Sequence, residues 1–345
     1  MVFTLTSKAN LRTLALATAV AISTSFSSFV SAQELVMSSW LPPTHPLITN
    51  AIQPWAEEVS KVTQGRVSVR TLPRPLGPPP AAFDLAADGI ADITYGLHSF
   101  SRDDRFLRSQ IGQFSFLGDT GEKTSVAYWN VYAGELDAQA EHQGTKLLSL
   151  FVHGPGMIHN NKGPINAVDD FSGLKVRVPG GYIAELAEEL GVTTQFMSPG
   201  EVFERLSNGV IDGVTFPMEA LNSFNLAEHL THTLRVDTGL YNTSWFLVMN
   251  EDKWKDISDA DRNAIQSISG GALAANAGRA WDSADEAGVK AAAANNMQTQ
   301  NASGAVLEKI QAIALSKESA WIEAIKADGF DGRAALTSIR TQAAQ

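Results

Sequence analysis

A short strand that passes through a glycine turn into a helix is the segment that most restricts how this chain can fold. Residues 174–178 read Leu-Lys-Val-Arg-Val, and residues 179–181 read Pro-Gly-Gly. The two-residue period of a strand places the three apolar side chains on one face and Lys175 and Arg177 on the other. In open α/β sheets, ligands bind where strands hand over to helices. The pattern therefore predicts an α/β fold with a guanidinium at a ligand-binding edge.

Arg177 is the strongest candidate for a ligand contact. No acidic residue lies between Gly173 and Gly181 to neutralise it locally. A guanidinium presents five donors in a planar fork, which suits a bidentate contact with a carboxylate. The alternative is an arginine that pairs with a distant Asp or Glu, or that lies on the surface. Gly180 and Gly181 are a weaker candidate, since backbone amides at the start of a helix can bind an anion.

Strand and helix signals alternate along most of the chain. We predict strands at residues 34–39, 67–71, 90–95, 146–151, 175–178, 193–197, 210–216 and 244–249. We predict helices at residues 48–59, 81–88, 122–140, 182–190 and 200–207, and an alanine-rich helical region from Asp259 to the end. The proline-rich run 73–80 must be a loop, because proline is excluded from central strands and helix interiors. This order predicts parallel, doubly wound sheets in two domains.

The N terminus has the features of a secretory signal peptide. Lys8 and Arg12 precede an apolar run at residues 13–22, and Val30-Ser31-Ala32 is a small-residue cleavage site. We predict that residues 1–32 are removed and that the protein is periplasmic. No later stretch approaches the ~20 apolar residues of a transmembrane helix, so no membrane insertion is predicted.

Charge and cysteine content exclude several classes of protein. Without Lys8 and Arg12 the chain has 24 basic and 37 acidic residues, a net charge of −13. Such a charge argues against a nucleic-acid partner. The chain has no cysteine, which excludes disulfides, a lipid-anchor cysteine and thiolate chemistry. A small anionic ligand would then need a local cationic site to overcome the overall repulsion.

Several segments, in the same order, resemble the solute receptors of tripartite ATP-independent periplasmic (TRAP) transporters. They lie between about residues 35 and 280 and comprise residues 55–59 (WAEEV), 63–67 (TQGRV), 88–93 (DGIADI), 164–165 (PI), 169–179 (DDFSGLKVRVP), 201–203 (EVF) and 209–213 (GVIDG). The resemblance implies two α/β domains, joined by crossing strands and one long helix, that close on the ligand by a hinge motion. It also implies that Arg177 binds the substrate carboxylate. The implied partners are the small and large integral membrane subunits of the transporter.

The resemblance also allows the residue ranges of the two domains to be predicted. Domain I is predicted to comprise residues 33–154 and 242–281. Domain II is predicted to comprise residues 155–241 and 282–345.

Two positions depart from the family pattern. Met157 stands where many members have a second arginine, and Phe216 is at the place where many have an asparagine. Both changes replace polar recognition with apolar or aromatic surface. A pocket of that kind favours apolar ligand bodies over hydroxyl-rich ones. We therefore expect a monocarboxylate with an aromatic or branched apolar body rather than a sugar acid.

Aromatic and polar residues near strand ends complete the predicted site. The aromatic candidates are Trp40, Tyr95, Phe116, Tyr241 and Trp245, for which ordinary packing is the alternative. Glu219 either accepts a ligand hydroxyl or caps the helix that starts near Met218, and His153 is either a pocket contact or a structural histidine. The predicted ligand-binding set is Arg177, Trp40, Tyr95, His153, Met157, Phe216, Met218, Glu219, Tyr241 and Trp245.

Motifs for catalysis, cofactors and metals are not found in the sequence. There is no Gly-x-Ser-x-Gly, Walker or Gly-x-Gly-x-x-Gly motif. His229 and His232 share a helical spacing but lack the arrangement of a zinc protease. We predict a binding protein that is not an enzyme and uses no cofactor. The alternatives are a receptor of an ATP-driven importer and a secreted hydrolase that uses Glu219 with a histidine.

Overall fold

Two mixed β-sheets form the framework of the computed structural model, which describes residues 32–101 and 104–345. The predicted signal peptide, apart from Ala32, lies outside the described residues. The strands are β1 (Gln33–Ser38), β2 (Val67–Thr71), β3 (Ile93–Leu97), β4 (Thr145–Val152), β5 (Met157–Asn160), β6 (Lys175–Val178), β7 (Thr193–Phe196), β8 (Gly213–Phe216), β9 (His232–Arg235), β10 (Ser244–Asn250) and β11 (Gln298–Asn301).

Helices cover both sheets and dominate the C-terminal part. They are α1 (Gln53–Val62), α2 (Ala82–Ala87), α3 (Gly121–Tyr128), α4 (Ala138–Glu141), α5 (Tyr182–Glu189), α6 (Pro199–Ser207), α7 (Glu219–Ser223), α8 (Glu251–Asp256), α9 (Asp259–Ser267), α10 (Gly270–Ala294), α11 (Gly304–Lys326) and α12 (Gly332–Ala343). None of the helices in the described part of the chain is long and apolar enough to cross a membrane.

The strand order separates the chain into two halves. Within the described residues, the first sheet has the order β2-β1-β3-β10-β4, and the second has the order β11-β9-β5-β8-β6-β7. The chain leaves the first sheet after β4, returns to it with β10, and enters the second again with β11. The α/β class, the crossing strands and the two-domain architecture predicted from the sequence are therefore confirmed.

The sheets are mixed rather than wholly parallel as predicted. In the first sheet β1 is parallel to β2 and β3, but the returning β10 is antiparallel to both of its neighbours. In the second sheet β6 is parallel to β7 and β8, whereas β5 is antiparallel to β8 and β9. A strand that crosses from the other half without a covering helix can enter antiparallel, which explains the difference.

The long helix α10 connects the two halves. It packs on α3 and β4 beside the first sheet and on α7 beside the second. Helix α12, which the predicted boundaries assign to domain II, packs on α3. The residue boundaries of the two domains stay a prediction.

Candidate ligand-binding site

Strand ends from both sheets surround one cavity. In the first sheet, Trp40 follows β1 and Leu97 ends β3. In the second sheet, Arg177 lies next to the last residue of β6, and Phe216 ends the adjacent parallel strand β8. Ligands of α/β proteins bind beyond such carboxyl ends. The cavity therefore lies where both halves of the molecule can contact one ligand.

The cavity is small, with a volume of about 30 Å³. Seven of the predicted ligand-binding residues line it: Trp40, His153, Arg177, Phe216, Glu219, Tyr241 and Trp245. The other lining residues are Leu41, His45, Leu97, Pro179, Pro199, Pro217, Phe224, Thr243 and Trp281.

Three residues of the predicted ligand-binding set do not line the cavity, namely Tyr95, Met157 and Met218, and neither does the aromatic candidate Phe116. The Tyr95 hydroxyl is 2.6 Å from Ser39 Oγ and accepts a hydrogen bond from the Leu41 amide at 3.2 Å. Tyr95 thus holds the segment that carries Trp40. Met157 pairs in register with Phe216 across β5 and β8 and packs in the core behind it.

Arg177 is a buried cation with unused hydrogen-bonding capacity. Its side chain is 1% exposed. Nε donates to the carbonyl oxygen of Met197 at 3.0 Å and Nη1 to that of Thr215 at 3.1 Å. Within the described residues, Nη2 has no hydrogen-bond partner, and no carboxylate lies within 4.0 Å of the guanidinium. Burial lowers the pKa of Arg177 to about 10, so the group is still a cation at neutral pH.

Stacked tryptophans form the apolar wall. The rings of Trp40 and Trp245 lie 5.6 Å apart and nearly parallel, and Trp281 lies 5.4 Å from Trp245. Trp40 Nε1 donates to the carbonyl oxygen of Tyr95 at 3.0 Å, and Trp245 Nε1 donates to Thr243 Oγ1 at 2.9 Å. Because these two donors are satisfied within the protein, Trp40 and Trp245 contribute apolar ring surface to the cavity.

His45 and Glu219 lie next to each other in the lining of the cavity. His45 lies in the loop after β1, whereas Glu219 starts α7 after β8. Their Nε2 and Oε2 atoms are 3.5 Å apart, and both side chains are buried. Asp285 Oδ1 accepts the Glu219 amide at 2.8 Å. The cap that the sequence suggested for Glu219 is therefore supplied by Asp285, and the Glu219 carboxylate faces the cavity.

Unsatisfied polar atoms concentrate at this cavity. Within the described residues, eight buried side-chain nitrogen or oxygen atoms have no hydrogen-bond partner. Five of them belong to residues that line the cavity, namely His45 Nε2, His153 Nε2, Arg177 Nη2, Glu219 Oε2 and Trp281 Nε1. Buried polar groups are normally paired. A cluster of unpaired ones is consistent with a polar ligand that supplies the missing partners.

The two glycines before α5 are explained by the backbone conformation of the turn. Gly180 and Gly181 both have positive φ angles, of 83° and 63°, which glycine adopts without steric cost. The first amide of α5, that of Tyr182, donates to Gln113 Oε1 at 3.2 Å. The turn does not line the cavity, so its predicted anion contact is not supported.

Reasoning from the sequence missed His45 and Trp281. His45 lies in a proline-flanked loop just after β1, and its place beyond a strand end was the available signal. Trp281 lies inside the alanine-rich α10, where no local pattern distinguishes a cavity residue from a core residue. No group of three or more His, Asp or Glu residues in the described ranges could hold a metal ion.

Several known proteins resemble this chain in sequence and fold. A structure of a TRAP periplasmic solute-binding protein from Bordetella bronchiseptica, with bound (R)- and (S)-mandelate, is 38% identical, with a TM-score of 0.87 over 90% of this chain and 99% of that one. A TRAP solute-binding protein from Rhodoferax ferrireducens, in complex with copurified benzoate, is 29% identical, with a TM-score of 0.81 over 90% and 97%. The outer membrane transporter protein TsaT of Comamonas testosteroni is 30% identical over 90% of this chain and 91% of its own. Residues 37–320 match the bacterial extracellular solute-binding proteins of family 7. The chain belongs to this family of solute receptors.

Proposed function

We propose that this protein is a periplasmic receptor that captures a small monocarboxylic acid through Arg177 and delivers it to a TRAP-type secondary transporter. The observation that carries the proposal is the buried guanidinium, which has no carboxylate partner within the described residues. An unpaired buried charge costs several kcal/mol. An anionic ligand that pairs with Arg177 would remove this cost.

The ligand's body is aromatic or branched and apolar. The parallel rings of Trp40 and Trp245 offer a flat surface, and apolar contact contributes about 25 cal/mol per Å² buried. The small cavity favours a compact acid. The relatives that were solved with mandelate and with benzoate carry ligands of this chemical class.

A single carboxylate fits the charges of the cavity. Arg177 is the only Lys or Arg among the described residues that line it, and Glu219 lies in the same wall. One carboxylate balances Arg177. A second would enter without a cation and close to Glu219, at the cost of an unpaired buried charge.

Export and delivery complete the proposal. The N-terminal signal segment, residues 1–32, directs the chain to the periplasm. There the loaded receptor meets the small and large membrane subunits of the carrier. A receptor for an ATP-driven importer would bind ligand in the same way, but the family match favours the TRAP type.

The hydrolase alternative predicts that the bound acid or ester is changed. A hydrolytic histidine next to Glu219 would have to act as a base. His45 Nδ1 accepts a hydrogen bond from the Leu47 amide at 3.2 Å, so in the neutral ring Nε2 carries the proton and faces Glu219 as a donor. Recovery of an unchanged ligand after incubation would favour the receptor, whereas cleavage would favour the hydrolase.

The test is calorimetric titration of benzoate and mandelate into three variants. Arg177→Ala should weaken binding by roughly 30-fold to several thousand-fold, the usual cost of removing one partner of a buried charge pair. Arg177→Lys should also bind poorly, because an ammonium does not reproduce the planar fork. The exposed Arg205 on α6 offers the control Arg205→Ala, which should bind like the wild type. Binding by Arg177→Ala with near-wild-type affinity would refute the proposal.

A further inference from the structure

We propose that His45 and Glu219 form a recognition site for a hydroxyl group, so that the preferred ligand is a hydroxylated aromatic carboxylic acid. This inference rests on the function proposed above and specifies its substrate class. Arg177 would take the carboxylate, the tryptophans the ring, and the His45–Glu219 pair the hydroxyl.

The hydrogen-bonding pattern of the pair is fixed by its surroundings. The Leu47 amide can only donate, so its bond to His45 Nδ1 places the proton of the neutral ring on Nε2. Nε2 is then a donor. Glu219 Oε2 is an acceptor, and within the described residues neither atom has a hydrogen-bond partner.

A hydroxyl is the ligand group that satisfies both atoms. It donates one hydrogen bond and accepts others, so one oxygen can donate to Glu219 Oε2 and accept from His45 Nε2. The two atoms are 3.5 Å apart, close enough for one oxygen to lie within hydrogen-bonding distance of each. An ammonium has no acceptor for His45, and a carbonyl oxygen has no donor for Glu219. The pair therefore discriminates by donor and acceptor pattern as well as by polarity.

The pair also joins the two halves of the molecule. His45 follows a strand of the first sheet, and Glu219 follows a strand of the second. Two aromatic rings flank His45, with Phe224 at 5.7 Å and Trp281 at 5.4 Å from the His45 ring. Because both side chains are buried, a donor and an acceptor without hydrogen bonds are costly, and a hydroxyl that pairs with both should bind better than a hydrogen atom in its place.

His153 is the competing acceptor in the same cavity. Its Nδ1 contacts the Gly154 carbonyl oxygen, which leaves Nε2 as an unpartnered acceptor. Glu219 is favoured because its acceptor is a carboxylate, and hydrogen bonds to charged groups are the stronger ones. In addition, the His45 donor lies directly beside it.

The experiment measures dissociation constants for two matched sets of acids by calorimetry. The first set is phenylacetate, mandelate, phenylglyoxylate and phenylglycine, which place hydrogen, hydroxyl, carbonyl and ammonium on the same carbon. The second set is benzoate and 3-hydroxybenzoate, which tests a hydroxyl on the ring. In at least one set the wild type should prefer the hydroxylated acid by roughly 10- to 100-fold, as expected for a hydrogen bond to a charged group. Phenylglyoxylate and phenylglycine should not show this gain.

Variants then assign the preference to residues. Glu219→Leu and His45→Leu should reduce the ratio of the two dissociation constants, plain acid over hydroxylated acid, to less than about threefold, since the donor or acceptor for the hydroxyl is gone. Glu219→Gln should keep part of the preference. It provides the readout if Glu219→Leu fails to fold. Glu201→Gln, an exposed change on α6, is the matched control.

The possible failures are distinguishable. Equal affinity for hydroxylated and plain acids, all of them dependent on Arg177, would overturn the hydroxyl site and leave the receptor function intact. A preference that disappears in His153→Leu but persists in Glu219→Leu would also overturn it. If no acid of either set binds in an Arg177-dependent way, the function proposed above fails as well.

Discussion

The guanidinium carbon of Arg177 lies 4.1 Å from the centre of the Phe216 ring, within the range of a cation–π contact. The aromatic ring of Phe216 therefore does more than make the cavity apolar. It supports the cation and limits the directions in which the fork can turn. Backbone carbonyl oxygens hold the guanidinium from other sides.

This contact predicts the effect of Phe216→Leu. The change keeps an apolar side chain but removes the ring, and a desolvated cation–π contact contributes about 2 kcal/mol. Carboxylate affinity should fall roughly 30-fold, as measured by calorimetric titration of benzoate. The control is Phe203→Leu, because Phe203 is 41% exposed on α6. Unchanged affinity in Phe216→Leu would show that the ring does not support Arg177 in the bound state.

Dicarboxylates and sugar acids should lose a competition against aromatic monocarboxylates. Arg177 can balance one carboxylate, and Glu219 repels a second one in the same cavity. The test is a series of succinate, a sugar acid, a branched 2-oxo acid and benzoate, in which benzoate or the branched acid should bind best. Isophthalate should bind at least about 30-fold more weakly than benzoate, given the cost of an unpaired buried charge, and Glu219→Gln should reduce that difference. Tighter binding of succinate would contradict the assignment of the cavity's charges.

The parts of this site that could be predicted from the sequence are those that depend on residues close together in the chain. The bounds of β6 and the place of Arg177 at its end followed from alternation and the glycine turn alone, because these are properties of neighbouring residues. How far along a strand the cavity lies cannot be read from neighbouring residues. Tyr95 was predicted to line the site, but Leu97, two residues further along the same face of β3, lines it instead.

Structural elements that depend on contacts with residues distant in the chain were not predicted from the sequence. The edge strand β11 reads Gln-Thr-Gln-Asn and is largely exposed, so neither hydrophobicity nor alternation marks it. Its pairing with β9, about 65 residues earlier, creates it. The predicted helix at residues 122–140 is also interrupted, since α3 ends at Tyr128 and a π-helical turn follows at residues 129–133. Met218 and Glu219 were both predicted as ligand contacts, but only Glu219 lines the cavity, and Asp285 on α10 accepts its backbone amide.

Gly288→Ala should destabilise the protein although it lies inside a helix. Helix propensity alone predicts a gain of about 1 kcal/mol. The added Cβ would overlap the carbonyl oxygen of Met218, where α10 crosses the start of α7. The expected result is a loss of roughly 1–3 kcal/mol, the usual cost of overpacking, measured by urea denaturation. Gly200→Ala on α6 is the control, since no atom lies within 4 Å of its added Cβ. Equal or greater stability of Gly288→Ala would show that the crossing tolerates a methyl group.

Acid should begin to destabilise the protein at pH values well above the usual pKa of carboxylates, because four histidines are buried as neutral rings. Burial lowers the pKa of His142, His153 and His159 to about 4, and it lowers that of His98 well below 6.5. In the unfolded chain these groups take up protons near pH 6.5. Their contribution to stability is therefore complete above about pH 6.5 and is lost as the pH falls towards 4.

The slope of stability against pH measures this effect. Each neutral buried histidine contributes at most about 1.4 kcal/mol per pH unit in that window. Asp285 acts in the opposite direction, since burial raises the pKa of its carboxyl well above the usual value, and proton uptake by the folded state offsets part of the slope. Urea denaturation between pH 7.5 and 4.5 should show a net loss of stability towards acid. His142→Gln should reduce the slope by at most about 1.4 kcal/mol per pH unit, the value for one proton. His232→Gln, at a half-exposed position, should leave the slope unchanged. An unchanged slope in His142→Gln would contradict the prediction that the buried His142 ring is neutral in the folded protein.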